Sequence, residues 1–198
     1  DLSLSVSTWY GVKAENGKVV ALNLADNNLQ GELPEALYDL TNLESLNLEK
    51  NKIEGSLSSS IFNLKELELL NLGENRLSGV IPSSICQLVK LKDLELFMNQ
   101  ISGELPSEIG KLNQLEILAV FNNEINGKLP VSIYKISGLK VLLLNNNKLS
   151  GNLTNEIINW NVLQNFSLFD NDFTGTIPQE IEKLSKLQEL NLSYNKFT

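Results

Sequence analysis

The residues that could do chemistry are few, and their types narrow the possibilities. The 198-residue chain has no histidine, so the commonest general base and any Ser-His-Asp arrangement are unavailable. There is no Walker-type glycine loop, no CxxC pair and no HExxH motif, and no metal site or cofactor is implied. Cys86, in the run SSICQL, is the only cysteine. A single thiol excludes an internal disulfide framework. A reactive thiol would need a positive neighbourhood, so Cys86 reads as a small apolar filler on the middle of a coil. Carboxylates are plentiful, and two could approach one another on a sheet in the manner of a glycosidase pair. On a repeat protein, however, they more often form a solvated acidic face. No hydrolase activity is expected. Sequons for N-glycosylation stand at Asn152, Asn165 and Asn191, in a chain rich enough in Asn to produce them by chance. A net charge of −8 argues against a nucleic-acid partner. No run of about 18 apolar residues could cross a membrane.

These residues are positioned by a repeat. The stretch LKDLELFMNQISGELPSEIGKLNQ, from Leu91 to Gln114, recurs every 24 residues without an insertion from Val19 to Thr198. Leu91, Leu94 and Leu96 match Leu67, Leu70 and Leu72. Asn99 matches Asn27, Asn51, Asn75, Asn123, Asn147, Asn171 and Asn195. A period this regular marks a solenoid. LxxLxL gives a short strand with its leucines on one side and the intervening residues on the other. The strands stack parallel, about 4.8 Å apart. The repeated Asn sits where the chain turns inward, and its amide can satisfy backbone groups of neighbouring coils. Eight parallel strands are therefore expected near residues 21, 45, 69, 93, 117, 141, 165 and 189, with the repeated Asn residues buried. The glycine at the thirteenth position suits a positive φ. All five prolines, at 34, 82, 106, 130 and 178, fall three places later and fit a non-helical return. The last third of the unit has room for about one 3₁₀ turn.

Residues 1–18 break the repeat and read as an N-terminal cap. Asn16-Gly17 is a hairpin turn signal, and Trp9 is expected to cover the open end of the core, since a repeat array needs a terminal cap. Residues 19–198 form one continuous domain of seven full repeats and a truncated eighth. The last coil ends without a polar cap, which suggests a longer parent chain. The chain opens at Asp1 as though already trimmed.

The run WYGVKAENGKVVALNLADNNLQGELP, with the unit LxxLxLxxNxLxGxLPxxIxxLxx, resembles the plant-type leucine-rich repeat domains. Those occur in receptor-kinase ectodomains, in polygalacturonase-inhibiting proteins and in similar bacterial surface proteins. The resemblance covers residues 19–198. It implies an α/β repeat solenoid: a right-handed arc with a parallel β-sheet on its concave side and 3₁₀ or short helical turns on its convex side. It also implies an extracellular or cell-surface binding module. The plant cap carries a cysteine pair flanking the Trp segment. Here Ser7 and Ala14 stand near those positions, so a bacterial-type member of the class fits better.

The outward strand positions are the third, fifth, seventh and eighth of each unit. In the first three repeats they are mostly small or polar. From the fourth repeat onward Phe97, Met98, Ile117, Phe121, Val141, Leu143 and Phe169 occupy them. Nothing in the solenoid requires these residues to face water. Side by side they would form an apolar patch of the kind that marks binding sites, bordered by an acidic margin of Glu49, Glu74, Asp93 and Glu95. Phe97, Phe121 and Phe169 are its expected anchors. The aliphatic members favour a protein or peptide partner over carbohydrate, which would use the aromatic rings and nearby amides. A spacer within a larger surface protein is the third reading, and it would not need the patch. The sequons at Asn165 and Asn191 fall on the same face, where a glycan would obstruct binding.

Overall fold

A computed structural model describes residues 9–198. Each 24-residue unit makes one coil. The strands Ser45–Asn47, Leu69–Asn71, Asp93–Glu95, Ile117–Ala119, Val141–Leu143, Asn165–Ser167 and Glu189–Asn191 pair parallel in sequence order. All seven start where the repeat places them. The first parallel strand, Lys18–Asn23, begins earlier than residue 21 because it also pairs antiparallel with Val12–Glu15. That hairpin turns at Asn16 and Gly17, both with positive φ.

The pairing has no register slip between coils, so like sits on like. Leu46, Leu70, Leu94, Leu118, Leu142 and Phe166 form one inward column, each no more than 1% exposed. In one coil Trp160 replaces the usual leucine near the end of the unit. It is fully buried beside Tyr134 and Phe166, and its indole N–H donates to the Ile133 carbonyl at 3.3 Å.

The sequence suggests a positive φ at the repeated glycine and a non-helical return at the proline, and the structure adds a strand around the glycine. Eight such strands, from Gln30–Glu32 to Lys196–Phe197, form a second parallel sheet. The glycine is central to it. Gly103 has φ +75, and a Cβ there would lie 2.7 Å from the Val80 side chain of the previous coil. The proline then opens the 3₁₀ turn rather than merely avoiding a ladder. Pro82, at φ −65, precedes the turn Ser83–Gln87, and its carbonyl accepts from Ile85 N at 3.0 Å. Ser58 fills the proline slot in its coil and accepts from Ser60 N.

The Asn ladder holds the coils together. The Asn99 side-chain amide donates to the carbonyls of Leu72, Leu96 and Phe97, and its oxygen accepts from Leu77 N. One residue thus satisfies groups on two coils, and the same bonds recur around Asn75, Asn123 and Asn147. Burial is less uniform than the sequence suggests. Asn51, Asn75 and Asn171 are buried, Asn99, Asn123, Asn147 and Asn195 are half-buried, and Asn27 in the first coil is exposed.

Trp9 does not lie under cover: it is 43% exposed. It sits in the turn before the hairpin, where its carbonyl accepts from Val12 N. The hairpin strands, with Val20 buried, close that end instead. Residues 1–8, and with them Ser7, lie outside the described residues.

Candidate functional site

The face of the first sheet opposite the core is the concave face, and the strand register fixes which side chains meet there. One row runs Leu69, Asp93, Ile117, Val141, Asn165. The next runs Asn71, Glu95, Ala119, Leu143, Ser167. Ile117, Val141 and Leu143 are half-buried and adjacent, so the aliphatic part of the expected patch is contiguous.

The aromatic part meets expectation in its stacking and departs from it in the burial of Phe97. Phe97 and Phe121 stack with centroids 4.8 Å apart and planes 3° from parallel. On its other side Phe97 lies over Gly73, where a Cβ would come within 2.5 Å of the ring. Phe97 is therefore only 9% exposed. It is the inside of a stack, and Phe121 presents the outer ring. Phe169 is separate, beyond Asn145, and packs edge-on against Tyr194 at 5.0 Å.

Met98 and Glu74 belong to the rim and not to the sheet. The eighth position of every coil has left-handed backbone, including Lys50 at φ 55, Glu74 at φ 51 and Met98 at φ 51. Non-glycine residues rarely adopt that conformation, and Asn and Asp adopt it most readily. The recurrence of Asp26, Asn122, Asn146 and Asp170 at this position is the signal that reveals it.

The carboxylates form the polar end of the site. Asp93 and Glu95 project from the same face of one strand. Burial, then the charges of Asp93 and Glu49, push Glu95 up to about 7. Burial also raises Asp93. One Asp93 oxygen is shut off from solvent, and protonated Glu95 is placed to donate a hydrogen bond to the Asp93 carboxylate. Glu49 accepts from the Asn71 amide at 3.1 Å. The one cation at the outward positions is Lys50, and it is held by Asp26 at 3.0 Å. The arrangement can hold a proton near neutrality or receive a cation. No group of metal-ligating side chains occurs among the described residues, and none of their helices is long and apolar enough to cross a membrane.

The family profile described as "Leucine-rich repeat region" matches residues 75–197, and that described as "Leucine Rich Repeat" matches 18–40 and 42–64. The chain belongs to the plant-type leucine-rich repeat family. It aligns over its whole length with a structure described as PEPR1–AtPEP1, at 29% identity and TM-score 0.94, covering 28% of that chain. The Arabidopsis receptor kinase HAESA, in complex with the peptide hormone IDA and the co-receptor SERK1, is 34% identical over 87% of this chain and 29% of its own, with TM-score 0.84. The LRR ectodomain of GASSHO1/SCHENGEN3 from Arabidopsis thaliana, in complex with CASPARIAN STRIP INTEGRITY FACTOR 2, is 34% identical over 90% of this chain and 25% of its own, with TM-score 0.74. The chain spans less than a third of the length of these receptor structures. No curated protein matches it. These matched structures are plant receptors, not the bacterial type suggested by the missing cap cysteines.

Within this leucine-rich repeat, Cys86 is buried in the core and its thiol is raised to about 11, chiefly by burial. It is a filler with no nucleophilic tendency. The Asn165 amide donates to Glu189 at 2.8 Å on the concave strands, and Asn191 lies on the next strand of that face. Asn152 sits apart, exposed beside the second sheet. The sequence reading missed the burial of Phe97. Gly73, one coil back at the same position of the repeat, is the residue that discloses it.

Proposed function

We propose that this leucine-rich repeat is a non-catalytic binding module that takes an extended protein or peptide segment along its concave sheet, outside the cell or at its surface. The observation that carries the reading is the contiguous strip of Ile117, Val141, Leu143 and Phe121 on the sheet face away from the core. Such a strip has no packing role in the coil, and exposed apolar surface of this kind marks interaction sites. The complexes of the related receptor kinase HAESA with the peptide hormone IDA support a peptide as occupant. Phe121 is the outer anchor, with Phe97 as its support and Phe169 as a second contact two coils on. Met98, at the rim, closes one side of the strip. Glu49, Glu74, Asp93 and Glu95 form its acidic margin. The domain division is part of the same reading, with residues 1–18 as a cap and 19–198 as one continuous array.

Carbohydrate is the second reading, favoured by a shallow recess lined by Leu143, Asn145, Asn165, Ser167, Phe169 and Asn191. There a ring and several amides could meet a sugar. The two are separated by a random peptide display library and a glycan array probed with wild type, Phe121→Ala and Asn47→Ala. The peptide reading expects enriched peptides that bind Phe121→Ala about tenfold or more weakly, the usual scale for losing a central interface aromatic, and Asn47→Ala as well as wild type. Glycan binding without peptide enrichment, or equal peptide binding by both variants, would overturn it.

A further inference from the structure

The fold separates the three sequons. Asn165 and Asn191 lie on the concave strands, where the Asn165 amide is engaged by Glu189. Asn152 lies on neither sheet. It stands between the second-sheet strand Lys148–Gly151 and the 3₁₀ turn Asn155–Asn159. Its side chain is exposed, and so are Lys128 and Thr176 at the same position of the coils before and after it.

Two departures from the repeat meet in this one coil. The other coils carry Glu32, Ser56, Val80, Glu104, Lys128 and Thr176 at this position, so Asn152 is the one Asn of its column. Two residues on, five coils carry proline, and Thr154 takes its place. Proline pre-sets the φ that the turn needs. Thr154 has φ −110, and its side chain does not cap the turn. Ser58, the other replacement, does cap, accepting from Ser60 N at 3.1 Å. The Thr154 hydroxyl is instead sealed from solvent and faces Tyr134 and Glu156. Capping therefore explains Ser58 and does not explain Thr154. A Thr two residues after an Asn, with a residue other than proline between them, completes the acceptor pattern for N-linked glycosylation. The residue between is Leu153. A glycan is bulky and needs open solvent at its attachment point, and Asn152 offers it.

We propose that Asn152 carries an N-linked glycan. The assignment rests on the extracellular reading above, because the sugar donor is met on the secretory route, and it goes beyond that reading. In the transfer, Asn152 Nδ2 bonds to the anomeric carbon of N-acetylglucosamine at the reducing end of a lipid-pyrophosphate-linked oligosaccharide. The bond from that carbon to the pyrophosphate oxygen breaks. The lipid pyrophosphate leaves with the electron pair, and Nδ2 gives up one proton. Leu153 is buried and the Thr154 hydroxyl is sealed, so a transferase reads the pattern before this coil closes. In the folded, modified protein Nδ2 faces water, and Oδ1 accepts from the Thr174 hydroxyl of the next coil at 2.8 Å. The bare amide can also turn Nδ2 inward, to the Thr174 and Gly151 carbonyls. The sugar stands beside the second sheet and leaves the concave strip open.

The test is peptide mapping of the protein isolated from the cells that make it. Glycans are released by peptide-N-glycosidase in heavy-oxygen water, which leaves a labelled Asp only where a glycan stood. Wild type, Thr154→Ser and Thr154→Pro are compared. The expected result is label at position 152 in most wild-type and Thr154→Ser molecules. Thr154→Pro, which restores the proline of the other coils and so keeps the turn, should carry none. Unlabelled wild-type Asn152 in protein recovered outside the cell would overturn the site and leave the extracellular reading standing. Unlabelled Asn152 in protein held inside the cell would overturn both. Label that persists in Thr154→Pro would be spontaneous deamidation and would also overturn the site. A second measurement does not depend on folding. The chain is translated behind a cleavable leader into microsomes, and wild type should run one glycan heavier than Asn152→Gln. Equal mobility of the two would overturn the site.

Discussion

The flanks of the solenoid and its concave face are built by the same 24-residue spacing, yet they handle charge in opposite ways. On the flanks, Glu66–Lys90, Glu68–Lys92 and Glu116–Lys140 neutralise one another from coil to coil at 2.5–2.7 Å. On the concave face Asp93 and Glu95 stand on one strand and share a proton rather than a cation, and beside them runs an apolar strip that the core does not use. A solenoid needs its flanks only to be soluble and its ladder only to hold. Where the repeat leaves charge unneutralised and apolar surface uncovered in adjacent coils, the fold gives no reason for either. On the proposed reading, a partner supplies the reason.

Both regions hang on the Asn ladder, so its loss should act on them alike and be the largest effect. Asn99→Ala strands carbonyls of Leu72, Leu96 and Phe97 and the amide of Leu77. It should cost on the order of 1–3 kcal/mol in denaturant unfolding. A variant that melts like wild type would show that water replaces the ladder.

The next effect separates the two regions by pH. Glu95 is raised above its ordinary value of 4.5 to about 7. A carboxyl raised in the folded state favours folding at low pH, and that contribution is lost as pH climbs through about 7. Glu95→Gln should therefore melt above wild type at about pH 8, with the difference closing toward about pH 4. A difference that persists at low pH would mean that the charge is not crowded.

The smallest effect is expected on the flank. The Glu116 and Lys140 side chains are 44% and 45% exposed, and pairs of that kind contribute about 0–1 kcal/mol. Glu116→Gln should change stability by no more than that and leave peptide binding unchanged. A flank pair that mattered more than Glu95 would reverse the comparison.

Much of this was legible in the residues. The period placed seven of the eight parallel strands at their first residue, because LxxLxL admits one register. The stack of Phe97 on Phe121 followed from two rings at one position of adjacent coils. The second sheet was not legible, because glycine and proline weaken strand propensity. Here a positive φ at each glycine and coil-to-coil pairing override it. The burial of Phe97 depended on Gly73, a residue whose effect is the space it leaves. The exposure of Trp9 depended on the turn before the hairpin, which no repeat specifies. Why Asp93 and Glu95 should be half-buried could not be read from composition: Asp93 stands between Leu69 and Ile117, and Glu95 between Asn71 and Ala119.

The central claim is that the concave strip, and not the flank or the convex side, is where a partner lies. Photo-cross-linking tests it directly. A benzophenone-bearing amino acid is placed in place of Leu143 on the strip, or in place of Val131, which is 70% exposed at the start of a 3₁₀ turn. Each protein is irradiated with a peptide selected on wild type. Covalent adduct from position 143 and none from position 131 is the predicted result. Adduct from position 131 with none from 143 would contradict it.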